Sequence, residues 1–568
     1  MNNIIFLIFR RMRAPLLTLI ITYSIVMLGL VMIPGRDPDG NVWHMDFFHA
    51  FYFVSFMSST IGFGELPYPF TAAQRLWVSF SIFFTVVVWL YSIGTVLTLL
   101  KDEAFQRALT ERRFSKNIIR LKRCFYLVCG YGQTGEALVK SLTDGNRHAV
   151  VIDILQDRIN LLKLENLREY VPGLCGDAGL PAHLIEAGLN HPLCQGVVAL
   201  TDSNETNLKI AITSKLLHPD IQVICRADSH DIEANMASFG TDYIIDPYDA
   251  FALYLATAIQ APCLSLLQDW LSQGKRDMLS KPVSPPNKGL WVVCGFGRFG
   301  KAVHDKLVKE DLEVVVVEAD PELTGAPQSP LIVGQGTEAE TLLEASINRA
   351  VGLVAGTDND ANNLSIIMTA RQLNSDLFVI LRQNSKYNDP VIHAVGADMV
   401  MLPSDIIANR IRVLLGAPLQ HMFVKLAMYQ EDVWACELIS QISALVSNHA
   451  PEVWEVTISE LESYAVCQHL QAGQNLTLGE LLVEERHRRS KLPCIPLLLL
   501  RHHDYSLLPR EEIKVQKDDR LLFCGSSYAR NRMEWTLQNA NALNYVLTGD
   551  IGPQGWIWRK LRKRGRAT

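Results

Sequence analysis

Thr60-Ile61-Gly62-Phe63-Gly64-Glu65 lies between two long stretches of chain that carry no charge. Its side chains are small or apolar, apart from the closing glutamate, and two glycines alternate with larger residues. Such a segment can turn its backbone carbonyls toward a central axis. A ring of carbonyls replaces the water shell of a dehydrated ion. One chain supplies one strand of such a ring, so the segment implies several copies arranged around an axis.

The flanks set the depth of this strand. Residues 14–35 and 76–100 contain no Asp, Glu, Lys or Arg. About 20 apolar residues cross a hydrocarbon core, so both stretches are read as full spans. Residues 47–64 are also free of charge. A helix over 46–58 would be roughly 20 Å long at about 1.5 Å per residue, too short to cross and suited to a re-entrant half-helix. Non-helical backbone at membrane depth is tolerated where it lines a cavity or is buried in protein. The order is then span, re-entrant helix, glycine strand, span. The alternative is a two-helix anchor with an external loop. It would expose Phe47, Phe48, Phe51, Tyr52, Phe53 and Phe56 to water, which is costly. Arg10, Arg11 and Arg13 precede the first span, and Lys101, Arg107, Arg112, Arg113 and Lys116 follow the second. The loop between holds Arg36 with Asp37, Asp39 and Asp46. This bias places both termini in the cytosol. No small-residue site ends the first apolar run, so a cleaved signal peptide is not expected.

With those flanks, the glycine strand resembles the potassium-channel selectivity filter, usually written T-V-G-Y-G-D. It departs from it at Ile61, Phe63 and Glu65. The resemblance implies potassium ions held along Thr60, Ile61, Gly62, Phe63 and Gly64 in a homotetramer. Phe63 lacks the hydroxyl that would buttress the filter, and Glu65 keeps the charge at the mouth on a longer arm. The resemblance also points to Gly94, low in the second span, as the hinge of the gate. The competing reading of Gly94 is a small residue for close helix packing.

The rest of the chain repeats itself. Phe125-Tyr126-Leu127-Val128-Cys129-Gly130-Tyr131-Gly132-Gln133-Thr134-Gly135 recurs as Leu290-Trp291-Val292-Val293-Cys294-Gly295-Phe296-Gly297-Arg298-Phe299-Gly300. Each copy reads as an apolar strand, a G-x-G-x-x-G turn and a helix. The first glycine allows the tight turn, the second lets backbone approach a phosphate, and the third lets helix pack on strand. A second strand follows in each copy and ends in Asp153 or Glu318. An acid there is placed for the ribose hydroxyls of an adenine nucleotide and repels a 2′-phosphate. The correspondence continues through Asp177 and Gln335, Thr201 and Thr357, Asn207 and Asn363, Arg226 and Arg382, Gly240 and Gly396. Alternating short strands and helices predict a doubly wound parallel sheet in each copy.

This organisation resembles the RCK (KTN, TrkA-N-like) domains that regulate prokaryotic potassium channels and transporters. The resemblance covers about 123–416. It implies NAD, ADP or ATP as regulatory ligands. In the first copy the site is Gly130, Tyr131, Gly132, Gln133, Thr134, Gly135 and Asp153, with Asp177 on the adenosine side. In the second it is Gly295, Phe296, Gly297, Arg298, Phe299, Gly300 and Glu318. Arg298 is placed to neutralise phosphate where the first copy has neutral Gln133, so the two sites are expected to differ. It leaves room for calcium, although no acidic cluster nominates a site.

The expected plan is an α-helical membrane pore domain over 1–100, a linker over 101–122, and α/β Rossmann-like domains over 123–262 and 290–416 joined by a linker over 263–289. A small α+β C-terminal lobe over 417–535 and a basic tail over 536–568 follow. His502, His503 and Asp504 read as a solvated turn rather than a cation site. The run from Trp556 to Thr568 suits an anionic leaflet or a solvated tail equally. A net charge of −6 gives no hint of nucleic acid. The 11 cysteines begin at Cys124, beyond the last span, and show no zinc spacing. They are expected to be free thiols, with disulfides disfavoured. The function expected is a ligand-gated potassium channel, not an enzyme, in the inner membrane of a prokaryote. The alternatives are a weakly selective cation channel and a membrane-tethered NAD-dependent oxidoreductase. The latter explains the glycine loops but not the filter.

Overall fold

A computed structural model describes residues 2–64, 67–102, 114–228, 230–272, 282–446 and 449–549. Glu65, residues 103–113 of the first linker and the run 556–568 lie outside the described residues, as do the side chains of Arg10 and Arg11. The chain divides into two compact units, Met1–Leu121 and Lys122–Thr568.

The first unit holds the long helices Asn2–Met32 and Ala72–Lys101 and the short helix Phe47–Ser58. Met12–Met32 and Ala72–Lys101 are long and apolar enough to cross a membrane. The short helix starts at Asp46, whose Oδ1 accepts the His49 N–H at 2.7 Å. Its Ala50 and Val54 are fully buried in one cluster with Val26 and Leu30 of the first helix. Trp77 donates its indole N–H to the Val26 carbonyl at 3.2 Å. A Cβ at Gly29 would fall 2.2 Å from that ring, so only glycine admits the approach. Thr71 and Gln74 form a capping box at the start of the second long helix. Gln74 Nε2 also reaches the Ile33 carbonyl at 3.2 Å and ties the two long helices together at that end. Between the first two helices, β1 (Gly35–Arg36) pairs antiparallel with β2 (Val42–Trp43).

The second unit begins with two copies of one parallel sheet. The first has β3 (Phe125–Cys129), β4 (His148–Asp153), β5 (Gly173–Cys175), β6 (Cys194–Ala199), β7 (Gln222–Arg226) and β8 (Tyr243–Ile245), in the order β5-β4-β3-β6-β7-β8. The second has β9 (Leu290–Cys294), β10 (Glu313–Glu318), β11 (Leu331–Val333), β12 (Ala350–Ala355), β13 (Phe378–Arg382) and β14 (Met399–Met401), in the order β11-β10-β9-β12-β13-β14. Every residue of β3 and of β9 is buried, as expected of a parallel sheet covered on both faces. The same buried asparagine pins each sheet. Asn207 accepts from the Thr201 amide (3.0 Å) and hydroxyl (2.7 Å) and donates to the carbonyls of Thr201 and Arg226. Asn363 repeats those four bonds with Thr357 and Arg382.

Each copy ends in a helix that leaves it. The first crossover helix, Pro247–Gln260, places Tyr248, Phe251, Ala252, Leu255 and Ile259 in one buried cluster with Phe299, Val303 and Leu307 of the second copy. The second crossover helix, Pro403–Gly416, places Ile407, Ala408, Ile411, Leu414 and Leu415 against Leu138, Val139 and Leu142 of the first. Both apolar sets recur at helical spacing. Arg147 of the first copy donates to the carbonyls of Leu415 and Gly416, closing the C-terminus of the second crossover helix.

Helices Pro262–Ser272, Pro418–Ala427 and Asp432–Leu445 then share a core with an antiparallel sheet. That sheet comprises β15 (Glu452–Thr457), β16 (Cys494–Arg501), β17 (Asp504–Leu507) and β18 (Arg520–Gly525), in the order β15-β18-β16-β17. His502 and His503, with φ of +46° and +76°, form the exposed turn between β16 and β17. Positive φ at both positions is the backbone of a tight hairpin.

Three expectations are corrected. Residues 263–272, assigned to a linker, lie in the helix Pro262–Ser272, whose Leu264, Leu267 and Trp270 are buried in the lobe. The lobe continues past 535 through helices Ser527–Gln538 and Ala540–Thr548, which bury Leu537 and Leu543. Cys263 and Cys436 form a disulfide across 173 residues of sequence, where free thiols were expected. Their closeness follows from packing Pro262–Ser272 on Asp432–Leu445, where Asp432 also accepts the Leu264 N–H at 3.0 Å. No local cysteine spacing announces such a pair. The other nine cysteines are free thiols.

Because Ile411 is fully buried against the first copy, Ile411→Ala is expected to cost about 2–5 kcal/mol of stability. Hydrogen exchange on the full-length protein should quicken in residues 133–144, not only around residue 411. Exchange raised only at the second copy would mean that the two copies do not stabilise one another.

Candidate functional site

In the first unit, Thr60, Gly62 and Gly64 have φ of +60°, +66° and +72°, whereas Ile61 and Phe63 between them keep negative φ. Alternating hands along a strand turn successive carbonyls to one side instead of opposite sides. A Cβ at Gly62 or Gly64 would meet nothing within 4 Å. The glycines are therefore required by the hand of the backbone and not by space. The strand hangs from the short helix, with the Thr60 N–H bonded to the Met57 carbonyl at 3.2 Å and the Ile61 N–H to Phe56 at 3.1 Å. Ser58, fully buried at the end of that helix, shares a hydrogen bond with Tyr23 Oη of the first span. This tyrosine, unforeseen from sequence, braces the base of a strand whose Phe63 has no hydroxyl. Ile61 and Phe63 are 62% and 71% exposed in the single chain. Gly94 lies in unbroken helix, and a Cβ there would meet nothing within 4 Å, so within one chain it serves no close packing.

In the second unit both glycine loops follow the central strand of their sheets, where strand order reverses. Gly130 and Gly295 take φ of +103° and +92°. A Cβ at Gly135 would lie 2.1 Å from the Gly130 carbonyl oxygen, and one at Gly300 would lie 1.9 Å from that of Gly295, so the third glycine is steric in both copies. The middle glycine differs. Gly132 and Gly297 have ordinary negative φ and start the helices Gln133–Asp144 and Arg298–Lys309, with no side chain capping either. Open first-turn amides at a helix start favour an anion. Nothing approaches a Cβ at Gly297 within 4 Å, whereas the Arg158 guanidinium lies 3.6 Å from one at Gly132.

The acids are nearly buried and already bonded. Asp153 accepts from the amides of Tyr131 (2.6 Å) and Leu155 (2.8 Å) and pairs with Arg158 at 3.3 Å. Glu318 accepts from the amides of Phe296 and Asp320. Each acid thus shapes its own glycine loop, and its remaining lone pairs are what a ribose would find. Tyr131, Phe296 and Phe299 were foreseen as site residues. Their side chains belong to the core, Tyr131 with its hydroxyl on Glu165 and Phe299 fully buried against Tyr248 and Phe251. Thr134 is also buried. Asp177 Oδ1 accepts the Gly179 amide at 2.8 Å, and Gln335 at the matching position is exposed.

The cations depart most from sequence expectation. Arg298 does not stand free over its loop but pairs at 2.7 Å with Asp228 of the first copy and lies over the Tyr248 ring at 5.4 Å. Burial works against its charge, but Asp228 and Tyr248 outweigh this and hold its pKa above the usual value. Asp228 also binds Arg226 at 3.0 Å, and Arg382 too lies over the Tyr248 ring, at 5.3 Å. The first loop, with neutral Gln133, takes its cation from Arg158 on the helix after β4 instead.

An ion-channel domain model matches residues 16–102, and a TrkA-N domain model matches twice, over 126–247 and 291–403. Both TrkA-N matches end at the first residue of a crossover helix. The chain is 27% identical over 186 residues to Probable potassium channel protein 2 of Methanocaldococcus jannaschii, covering 30% of this chain and 54% of that protein. It is 27% identical over 235 residues to Potassium channel protein 1 of the same organism, covering 40% and 68%. It thus spans only about half the length of the first relative. The chain thus carries an ion-channel domain followed by two TrkA-N domains, and potassium-channel proteins are among those it is similar to. Among solved structures it is similar to a GsuK channel bound to NAD, at 16% identity and a TM-score of 0.47, covering 94% of this chain and all of that one.

The two loop glycines of this TrkA-N pair make separable predictions. Gly300→Ala drives a Cβ into the Gly295 carbonyl and is expected to destabilise the protein by about 1–3 kcal/mol. Gly297→Ala, with open space and φ −69°, should leave the unfolding midpoint within about 0.5 kcal/mol of native. Equal losses in a denaturation series would show that the middle glycine is also structural.

Proposed function

We propose that four copies of this chain form a potassium-selective pore in the inner membrane of a prokaryote, controlled by adenine nucleotides in the TrkA-N domains. The observation that carries the pore is the alternating hand of Thr60, Ile61, Gly62, Phe63 and Gly64 between two apolar spans. Carbonyls on one side of a strand suit dehydrated potassium only when several strands face one axis. Both termini are cytosolic in this reading, and Gly94 is the hinge of the inner helix. Work reaches the pore because nucleotide binds two arrangements of the regulatory domains unequally.

Of the nucleotide sites, the first is the better prepared. Asp153 faces the ribose hydroxyls, Gly132 and the open amides after it take the phosphates, and Arg158 supplies the positive charge. Asp177 lies on the adenosine side. In the second site a nucleotide must compete with Asp228 for Arg298. NAD and ADP suit acids that repel a 2′-phosphate; NADP does not.

In planar bilayers with potassium on one side and sodium on the other, the full-length protein should reverse close to the potassium equilibrium potential. Reversal near zero would make the pore a weakly selective cation channel and would place the loss at Phe63 or Glu65. NAD or ADP on the cytosolic face should change open probability, and Asp153→Ala should weaken that response by about tenfold or more, the loss of one charged hydrogen-bond partner. An unchanged response in that variant would remove the first site from the proposal. NADH turnover by the purified protein would restore the oxidoreductase alternative.

A further inference from the structure

A cavity in the Lys122–Thr568 unit has no residue of either glycine loop in its lining. It has a volume of about 590 Å³ and is walled by the two crossover helices and by the helices that follow them, Pro262–Ser272 and Pro418–Ala427. That is the size of a small-molecule site, commonly about 300–1,000 Å³ with apolar walls and a few convergent polar groups. Phe251, Val413 and Val424 supply apolar wall.

Its charges are unbalanced. Arg410, His421 and Lys425 all line the cavity, and none makes an ion pair or hydrogen bond with a described residue. Arg410 keeps an exposed surface at the cavity; the walls around it draw its pKa down, although the nearby Glu233 and Asp249 act to raise it. Burial and then the fields of Arg410 and Lys425 draw His421 down. His421 therefore lies in the field of both cations. Among the described residues the only carboxylate in the lining is Asp269, which accepts the Tyr254 hydroxyl at 2.7 Å and whose pKa burial raises to about 6. A guanidinium that no protein acid bonds directly, although Glu233 and Asp249 lie near it, stands beside an ammonium and an imidazole over apolar wall and matches a carboxylate on an apolar body.

We infer that this cavity is a binding site for a small organic carboxylate, with Arg410 as its principal anchor and Lys425 as its second charge. The inference does not rest on channel activity. The walls come from both crossover helices, and each of these packs on the glycine-loop helix of the opposite copy. A bound molecule therefore restrains both TrkA-N domains at once, and the site couples to the nucleotide sites through packing.

The test uses full-length protein in lipid nanodiscs, with 4-phenylbutyrate as probe, its neutral amide as control and empty nanodiscs as the partition blank. Calorimetry is expected to show saturable binding of the carboxylate, with the amide and Arg410→Gln each weaker by about tenfold or more. Lys425→Gln, at an exposed position that leaves the fold intact, should weaken binding by about threefold or more. Nucleotide binding by Lys425→Gln, measured alongside, should persist. Equal affinity for acid and amide, native affinity in both variants, or no saturable binding would each overturn the proposal. A loss of nucleotide binding with carboxylate binding intact would bear instead on the glycine-loop sites.

Discussion

The Lys122–Thr568 unit depends on one reciprocal packing arrangement. Neither Rossmann copy completes its own core. The glycine-loop helix of the first copy is covered by Ile407, Ile411 and Leu415 from the second, and that of the second by Phe251, Leu255 and Ile259 from the first. Burial of apolar surface is the largest favourable term in folding, so exchanging it makes the two copies one cooperative body. It also places the helix that starts each candidate phosphate site under the partner copy, so a change at one loop is felt by the other domain. Tyr248 shows the connection in one residue: it opens the first crossover helix, packs on Phe299 and lies beneath both Arg298 and Arg382.

Near-identical backbones then carry different charge. Both copies keep the positive-φ first glycine, the steric third glycine, the acid bonded to its own loop and the asparagine clamp. These maintain the turn whether or not a ligand is present. The cations have diverged, with Arg158 reaching the first loop from the helix after β4 and Arg298 committed to Asp228 across the domain boundary. An ion pair between domains is sensitive to their arrangement, because a small shift separates two charges whose attraction falls with distance.

The membrane unit obeys a different constraint. Its glycine strand is held at the base by Phe56, Met57 and the Tyr23–Ser58 contact, yet its outer residues face open space in one chain. A strand whose alternating hands send carbonyls to one side leaves acceptors that only ions, water or other strands can satisfy.

Much of this was legible in the sequence because it is local. Charge-free runs of sufficient length specify spans, alternating glycines specify an alternating strand, and a strand-turn-helix with an acid at the next strand end specifies each Rossmann copy. The duplication itself made Asn207 with Asn363 and Arg226 with Arg382 visible as pairs. What tertiary structure alone decided involves partners far apart in the chain. Cys263 meets Cys436 across 173 residues, and Arg298 finds Asp228 in the other copy. Residues 263–272 become lobe rather than linker because their apolar face is buried by helices that follow the second copy. Periodicity and motif report what a segment can form by itself. Which surface covers it, and which charge answers its own, depends on chain entropy and packing summed over the whole fold, and no short window of sequence contains that sum.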